Sequence, residues 1–520
     1  MIQSLQHSEI YDHEVRRFAV IETHISWVLL TGPYAYKIKK PVDLGFLDFS
    51  TLDKRRFYCH EELRLNRRLA PRHYVDVIAI TGTPQAPALN GEGPVIEYAV
   101  KMVQFPQEAQ LDRVAARGAL EKHHIDQLAA KLVAFHSNIE IAAPDSVYGN
   151  PERIQRVVLE NFERVLSDLR NKTDINQLQK LKSWAEQEYS KQQDYLSIRK
   201  QNGFIRECHG DMHLRNMALL DDELLIFDCI EFSEDLRWID VVSEAAFLMM
   251  DLDDRGHPEL ARRFLNAYVE HTGDYEGLKV LRYYLTYRAM VRAMVDNIRA
   301  HQSRIGGQEK HKVMDECRSY IALAEQYTRV EQPTLFIMHG FSGSGKTTVA
   351  QALLESEFVV RVRSDIERKR LHGLAPDART RAEVGSKLYT ADATQRTYAR
   401  LADLAGGLLE SGFTVMVDAA FLKQVQRDMF RVLAERVKVS FIILDCQTSD
   451  EILLQRVLNR ERKSRDASEA NAAVLTHQLA THEPLSDREK DCTVMIDTTR
   501  GLDKAQVAAV LRGHREAGNR

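Results

Sequence analysis

The chain has 520 residues, 44% apolar and 28% charged, and its 71 basic and 75 acidic side chains leave a formal charge of −4. That balance excludes a protein whose main partner is bulk nucleic acid or an anionic membrane surface. No apolar run approaches the ~18 residues that a bilayer span needs, so no membrane partner is expected.

Residues 20–50 read as short strands with turns: AVIET, SWVLLTG and AYKIKK. A charged helix from about Leu52 to Leu69 follows and ends before Pro71. YVDVIAI and PVIEYAVKMVQF are further strands, separated by the Gly/Pro-rich turn TGTPQAPALNGEGP. Residues 109–197 are mostly helical, 203–233 return to strands and loops, and 234–328 are helical again. The texture changes near Val330–Pro333. Beyond it, TLFIMHG, FVVRVRSD, TVMVDAA, VSFIILDC and TVMID are apolar strands separated by helical stretches, the pattern of a parallel sheet covered on both faces. The expected domains are 1–328, with a β-rich lobe to about 105 and a helical lobe after it, and 329–520. Cys59, Cys208, Cys229, Cys317, Cys446 and Cys492 contain no CxxC pair and read as reduced thiols of a cytoplasmic enzyme. The N-terminal residues mix acids with bases and lack a hydrophobic signal core.

Phosphoryl transfer needs a carboxylate near the attacking hydroxyl and oxygen ligands for Mg²⁺ on the nucleotide. His209-Gly210-Asp211-Met212-His213, with Asn216 five residues after Asp211 and Asp228 after an apolar strand, supplies those parts. A turn whose Asp211 caps a helix is the structural alternative. A kinase lobe also calls for a lysine on a strand and a glutamate on the following helix. Lys37, two residues after Ala35, and Glu62 are the candidates for binding ATP; Lys39 competes with Lys37 and Glu61 with Glu62. These residues make 1 to about 325 resemble the aminoglycoside-phosphotransferase and choline-kinase-like family. The resemblance implies an α+β protein-kinase-like fold, Asp211 as catalytic base, Asn216 and Asp228 as magnesium ligands, and Asp240 bracing the catalytic loop. The acidic cleft that binds polycationic drugs in aminoglycoside-modifying members has no counterpart in the sequence, and no glycine-rich phosphate cover is evident beyond Thr31-Gly32.

Gly340-Phe-Ser342-Gly343-Ser344-Gly345-Lys346-Thr347 fits GxxxxGK[ST], follows the strand TLFIM and opens the helix TTVAQALLES. Its N–H groups, with Lys346 and Thr348, are expected to bind the phosphates of ATP, and Thr347 to ligate Mg²⁺. Asp365 and Asp418 end neighbouring strands at the edge where ligands bind; Asp418 reads as the acid on the metal side and Asp365 as the acceptor-side base. Helix N-caps are the structural reading of both. Arg456, Arg460 and Lys463, with Arg462 and Arg465 nearby, suit a lid closing on phosphoryl oxygens, or else a solvated charged face. Residues 333–500 resemble the P-loop small-molecule and polynucleotide kinases, including the zeta-toxin-like branch. That resemblance implies an α/β domain with a five-stranded parallel sheet. The whole chain, with the stretch YKIKKPVDLGFLDFS characteristic of them, resembles bacterial two-domain proteins described as bifunctional aminoglycoside phosphotransferase/ATP-binding proteins. The function expected is a bifunctional kinase using ATP and Mg²⁺, with a hydroxyl-bearing substrate at the first site and a small molecule, nucleotide or RNA end at the second. The alternative is an ATP-sensing or toxin-like kinase in which one domain controls the other.

Overall fold

The computed structural model describes residues 1–45, 47–301, 306–376, 378, 388, 390–463 and 471–499. Strands β1 (Ala19–Glu22), β2 (Ser26–Leu30), β3 (Tyr34–Lys39), β4 (Tyr74–Thr83), β5 (Ala86–Leu89) and β6 (Val95–Val103) form an antiparallel sheet in the order β1-β2-β3-β6-β4-β5. Tyr36 and Ile38 of β3 pack into a core with Leu29, Ile78 and Ala99. Side chains alternate along a strand, so Ala35, Lys37 and Lys39 take the opposite face. Helix α1 (Leu52–Asn66) starts at Thr51, whose side chain accepts from the Lys54 N–H, and packs Cys59 and Leu63 against Tyr74 and Val100. β5 lies where the sequence reads as a turn. It is an edge strand pairing Pro87 with Gly82, and an edge tolerates a residue without an N–H to donate.

The helical part runs through α2 (Leu111–Ala116), α3 (Lys122–Asn138), α4 (Pro151–Asp168) and α5 (Lys172–Gln201). It continues as β7 (Ile205–Glu207), the hairpin β8 (Met217–Leu220) and β9 (Glu223–Ile226), α6 (Glu234–Arg237), β10 (Trp238–Asp240) and α7 (Val241–Asp254). β10 pairs antiparallel with β7, which holds the two ends of the intervening loop region together. Three helices follow: α8 (Pro258–Thr272), α9 (Leu281–Ala300) and α10 (Gly307–Tyr327).

The remaining elements alternate: β11 (Thr334–His339), α11 (Lys346–Ser356), β12 (Val359–Arg363), α12 (Ser364–Leu371), α13 (Ala391–Glu410), β13 (Thr414–Asp418), α14 (Gln424–Val437), β14 (Ser440–Gln447), α15 (Asp450–Lys463), α16 (Ala472–Thr481), α17 (Asp487–Lys490) and β15 (Thr493–Asp497). The five strands make a parallel sheet in the order β12-β13-β11-β14-β15. Phe336 and Met338 face Val349 and Leu353 of α11, so the helix that follows β11 covers one side of the sheet.

The chain divides into two compact units, and the division is not a single cut. Residues 1–256 and 283–325 form the first unit; 257–282 join 326–520 in the second. The reason lies in α8. Asn266 donates from Nδ2 to the Val359 carbonyl (3.0 Å) and accepts the Arg361 N–H at Oδ1 (2.8 Å), so its amide stands in for a neighbouring strand along the edge of β12. A sheet edge left unpaired is costly when buried. Asn266→Leu should strand both backbone groups, and each buried orphan costs about 1–3 kcal/mol. Urea unfolding should register the loss, and hydrogen exchange should show deprotection of the Arg361 amide above that of β13.

Candidate active site

The loop between β7 and β8 is held residue by residue. His209 donates from Nε2 to the Phe227 carbonyl (2.8 Å) and accepts the Asp211 N–H at Nδ1 (3.2 Å). Gly210 has φ +89°, and a Cβ there would sit 2.7 Å from the Leu236 carbonyl oxygen, so glycine is required. Its N–H donates to Glu244 Oε1 (2.7 Å) and its carbonyl accepts from Arg288 (3.1 Å). The Leu214 N–H donates to Asp251 Oδ2 (2.8 Å). Asp240 binds Arg199 and caps α7 through the Val242 N–H, and α7 carries both Glu244 and Asp251.

These restraints bring Asp211, Asn216 and Asp228 together. Asn216 Nδ2 donates to Asp211 Oδ2 (2.9 Å), and His213 Nε2 lies 3.1 Å from the same oxygen. Burial opposes ionisation of Asp211, but His213 and Arg292 outweigh it and hold the carboxyl well below the usual range. Asp228 is reached because the Phe227 N–H donates to the Asn216 carbonyl (3.0 Å). It adopts φ +66°, a strained conformation for a residue other than glycine. Asn216 spends its amide nitrogen on Asp211, which leaves its oxygen, with the Asp228 carboxylate, as hard donors that fit a magnesium ion.

Behind Asp228 runs a chain of alternating charges. Lys37 Nζ lies 2.5 Å from Asp228 and 2.8 Å from Glu62; Lys39 Nζ lies 2.7 Å from Glu62 and also contacts Glu231. Lys37 therefore touches the acid beside the loop of Asp211 and Asn216, whereas Lys39 is enclosed further in, at 1% exposure. Burial disfavours the charge on Lys37, but Asp228 and Glu62 prevail and raise its pKa well above the usual value. Glu61, the competitor of Glu62, pairs with Arg64 at 2.9 Å. Glu231 stands at the end of the sequence motif, yet nothing in its spacing announced a lysine partner on β3.

In the second unit, Gly340, Gly343 and Gly345 all have positive φ. A Cβ on Gly340 would approach the Cys446 carbonyl oxygen to 2.7 Å, and one on Gly343 the Leu453 carbonyl oxygen to 2.8 Å. Lys346 Nζ donates to the carbonyls of Gly340 (3.0 Å) and Phe341 (2.8 Å), curling the loop over the start of α11. Thr347 and Thr348 lie in the first turn of that helix. The Ser342 N–H donates to Gln478 of α16 (2.9 Å), and the Ser344 carbonyl accepts from the Thr498 hydroxyl (2.8 Å). Arg456 binds the Gly343 carbonyl (3.3 Å) and the Thr498 carbonyl (2.7 Å), so its guanidinium grips the phosphate loop's backbone. The side chains of Arg460, Arg462 and Lys463, and the whole of Arg465, lie outside the described residues. Thr498 and Gln478 carried no sequence signal; each is a single polar residue that tertiary packing brings to the loop.

Sheet order separates the two carboxylates. Asp418 ends β13, the neighbour of β11, whereas Asp365 follows β12, one strand further out, in the first turn of α12. Neither is an N-cap: Arg363 holds that position for α12, and α14 starts only at Gln424. Asp418 Oδ2 is buried and accepts no hydrogen bond among the described residues. A buried anionic oxygen without a donor, at the carboxyl edge of the sheet, fits a cation.

Residues 50–281 match the phosphotransferase enzyme family, and residues 335–485 match a family of AAA domains. The chain thus joins two kinase-like domains of unrelated fold, the second built on the five-stranded parallel sheet. An uncharacterized protein of Mycobacterium tuberculosis is 27% identical over 465 residues, covering 89% of this chain and 90% of its own. Among solved structures, an ethanolamine kinase of Plasmodium vivax is similar at 9% identity and a TM-score of 0.37, over 59% of this chain and 81% of that one. A sugar kinase from Janibacter sp. is 20% identical with a TM-score of 0.25, over 34% of this chain and 90% of that one. Among the described residues, no helix is long and apolar enough to cross a membrane.

The charge chain makes a stability prediction. Lys39→Met leaves Glu231 buried without its cation, while Glu62 keeps Lys37, and should cost about 3–5 kcal/mol in urea unfolding. Glu231→Gln added to that variant removes the stranded charge and should recover much of the loss.

Proposed function

We propose that the chain is a cytoplasmic bifunctional kinase with two ATP·Mg²⁺ sites. The first transfers the γ-phosphoryl group to a hydroxyl of a small substrate; the second phosphorylates another small molecule, a nucleotide or an RNA end. The observation that carries the reading is the convergence of Lys37, Glu62, Asp211, Asn216 and Asp228, drawn from β3, α1 and two loops, in one place.

At the first site Asp211 is the catalytic base. Its Oδ2 is engaged by Asn216 and His213, which fixes the carboxylate plane and leaves Oδ1 to take the proton of an attacking hydroxyl. Because the group stays ionised, it is ready for that proton at neutral pH. Lys37 binds nucleotide phosphate oxygens and is held for that task by Glu62. Asn216 and Asp228 would hold Mg²⁺, which neutralises charge developing on the phosphoryl oxygens when bound. At the second site the loop from Gly340 to Thr348, through Ser342, Gly343, Ser344 and Gly345, would surround the phosphates at the α11 N-terminus, with the Ser342 N–H turning to them from Gln478. Lys346 turns from the Gly340 and Phe341 carbonyls to the terminal phosphates. Thr347 and Asp418 would hold the metal, Asp365 serves the acceptor, and Arg456 and Arg460 belong to the segment that closes over the nucleotide.

Transfer of label from ATP into small-molecule and RNA fractions tests the reading on the full chain. Asp211→Asn should lower transfer at the first site by about 10²–10⁴, the worth of a positioned general base, with little change in nucleotide affinity. Lys346→Ala should silence the second site, and the double variant should be silent throughout. If either single variant silences both products, one domain controls the other and the bifunctional reading falls.

The two carboxylates of the second site separate by their response to metal. Asp365→Asn should lower transfer by about 10²–10⁴ at any Mg²⁺ concentration. Asp418→Asn should instead raise the Mg²⁺ concentration needed for half-maximal transfer, because it removes a charged ligand. A metal defect in Asp365→Asn alone would exchange the two assignments.

A further inference from the structure

The helix α8 lies inside the segment that matches the phosphotransferase family, yet it packs in the second compact unit. Beyond the strand-like bonds of Asn266, it carries Glu270, whose carboxylate is 5% exposed and faces the arginines of β12. Arg361 and Arg363 are two residues apart and so share one face of that strand. Glu270 Oε1 lies 2.6 Å from Arg361 Nε, a full ion pair. Its other oxygen lies 3.8 Å from Arg363. On its far side, Arg363 lies 3.8 Å from Asp418 Oδ2, the buried oxygen that accepts no hydrogen bond among the described residues. The β12–β13 register sets Arg363 directly opposite Asp418, so the proximity follows from the sheet itself.

Arg363 thus stands midway between two buried carboxylates, at a distance too long for a hydrogen bond to either. At that separation, out of water, charge attraction still acts strongly. Both carboxylates attract the guanidinium, and the pull of Glu270 lessens how far its charge offsets that of Asp418. If Glu270 lost its charge, more of the Arg363 charge would act on Asp418 and oppose any cation there. While Glu270 keeps its charge, Arg363 has an alternative partner and Asp418 remains a good ligand.

We propose that Glu270 is a positioning residue of the second site: it draws Arg363 away from Asp418 and keeps that carboxylate available to Mg²⁺. The site is then incomplete without a helix from the phosphotransferase segment. The inference rests on the proposed role of Asp418 at the P-loop site.

The test measures binding of a fluorescent ATP analogue to the full chain as Mg²⁺ is titrated, in a Lys37→Ala background that removes nucleotide from the first site. Glu270→Gln should raise the Mg²⁺ concentration for half-saturation roughly 5-fold, a coupling typical of residues that share a charged partner. Glu270→Asp, which keeps the charge, should recover part of the shift. Arg363→Gln should lower the requirement below that of the parent, and in its presence Glu270→Gln should have no further effect on metal. Thermal melting accompanies each variant; if Glu270→Gln fails to fold, Arg363→Gln decides alone. Binding that Lys346→Ala abolishes, with a Mg²⁺ requirement unmoved or raised by Arg363→Gln, overturns the role of Glu270 and leaves the P-loop reading intact. Absence of any binding sensitive to Lys346→Ala overturns both.

Discussion

Most of the charges gathered at the first candidate site are held with little water around them, and each needs a partner of opposite sign. The clearest case is the line Asp228–Lys37–Glu62–Lys39–Glu231, in which three carboxylates and two ammonium groups alternate behind the catalytic loop. A buried ion costs several kcal/mol unless neighbours satisfy it, so no member of the line is independent. Glu62 serves two lysines at once. Because Asp228 and Glu231 leave the same loop, both ends of the line return to one short stretch of chain. The pairing therefore ties β3, α1 and that loop into one arrangement, and Lys37 takes its position from it.

The same logic reaches the catalytic loop by a different route. Glu244 and Asp251, both on the buried helix α7, take backbone N–H groups of Gly210 and Leu214, and Arg288 of α9 takes a carbonyl. Glu244 is itself met by His136 at 2.9 Å. Buried acids that hold N–H groups convert the rigidity of helices into the rigidity of a loop. The loop that carries Asp211 is thereby fixed by groups on helices well away from it in the sequence.

In the second unit the limiting constraint is the sheet edge. β12 has one strand neighbour, and its other side is met by the Asn266 amide and the Glu270 carboxylate of α8. The arginines of β12 would be unsuitable at a bare edge buried under a helix; opposite Glu270 and Asp418 they are matched. A segment that sequence order assigns to the first domain thus supplies both the backbone partners and the counter-charge of the second.

Much of the candidate site was legible in the sequence because its motifs are local. Gly340 to Thr347 must be contiguous for their N–H groups to enclose one phosphate, and Asp211 and Asn216 must share one loop, so spacing alone reveals them. The five strands of the parallel sheet were legible for a similar reason, since each is a short apolar run bounded by helices. β5 was hidden by Pro87 and by the flanking Gly82, Gly91 and Gly93, whose turn character an edge strand overrides. Lys39 with Glu231, Gln478 and Thr498 at the phosphate loop, and α8 beside β12 were decided only by tertiary structure. Their partners lie tens to hundreds of residues away, and a single buried charge or amide leaves no period in the sequence. Covalent neighbours determined which reactive groups the chain carries; desolvation, which demands a partner for every buried charge and every bare N–H, determined where those groups had to meet.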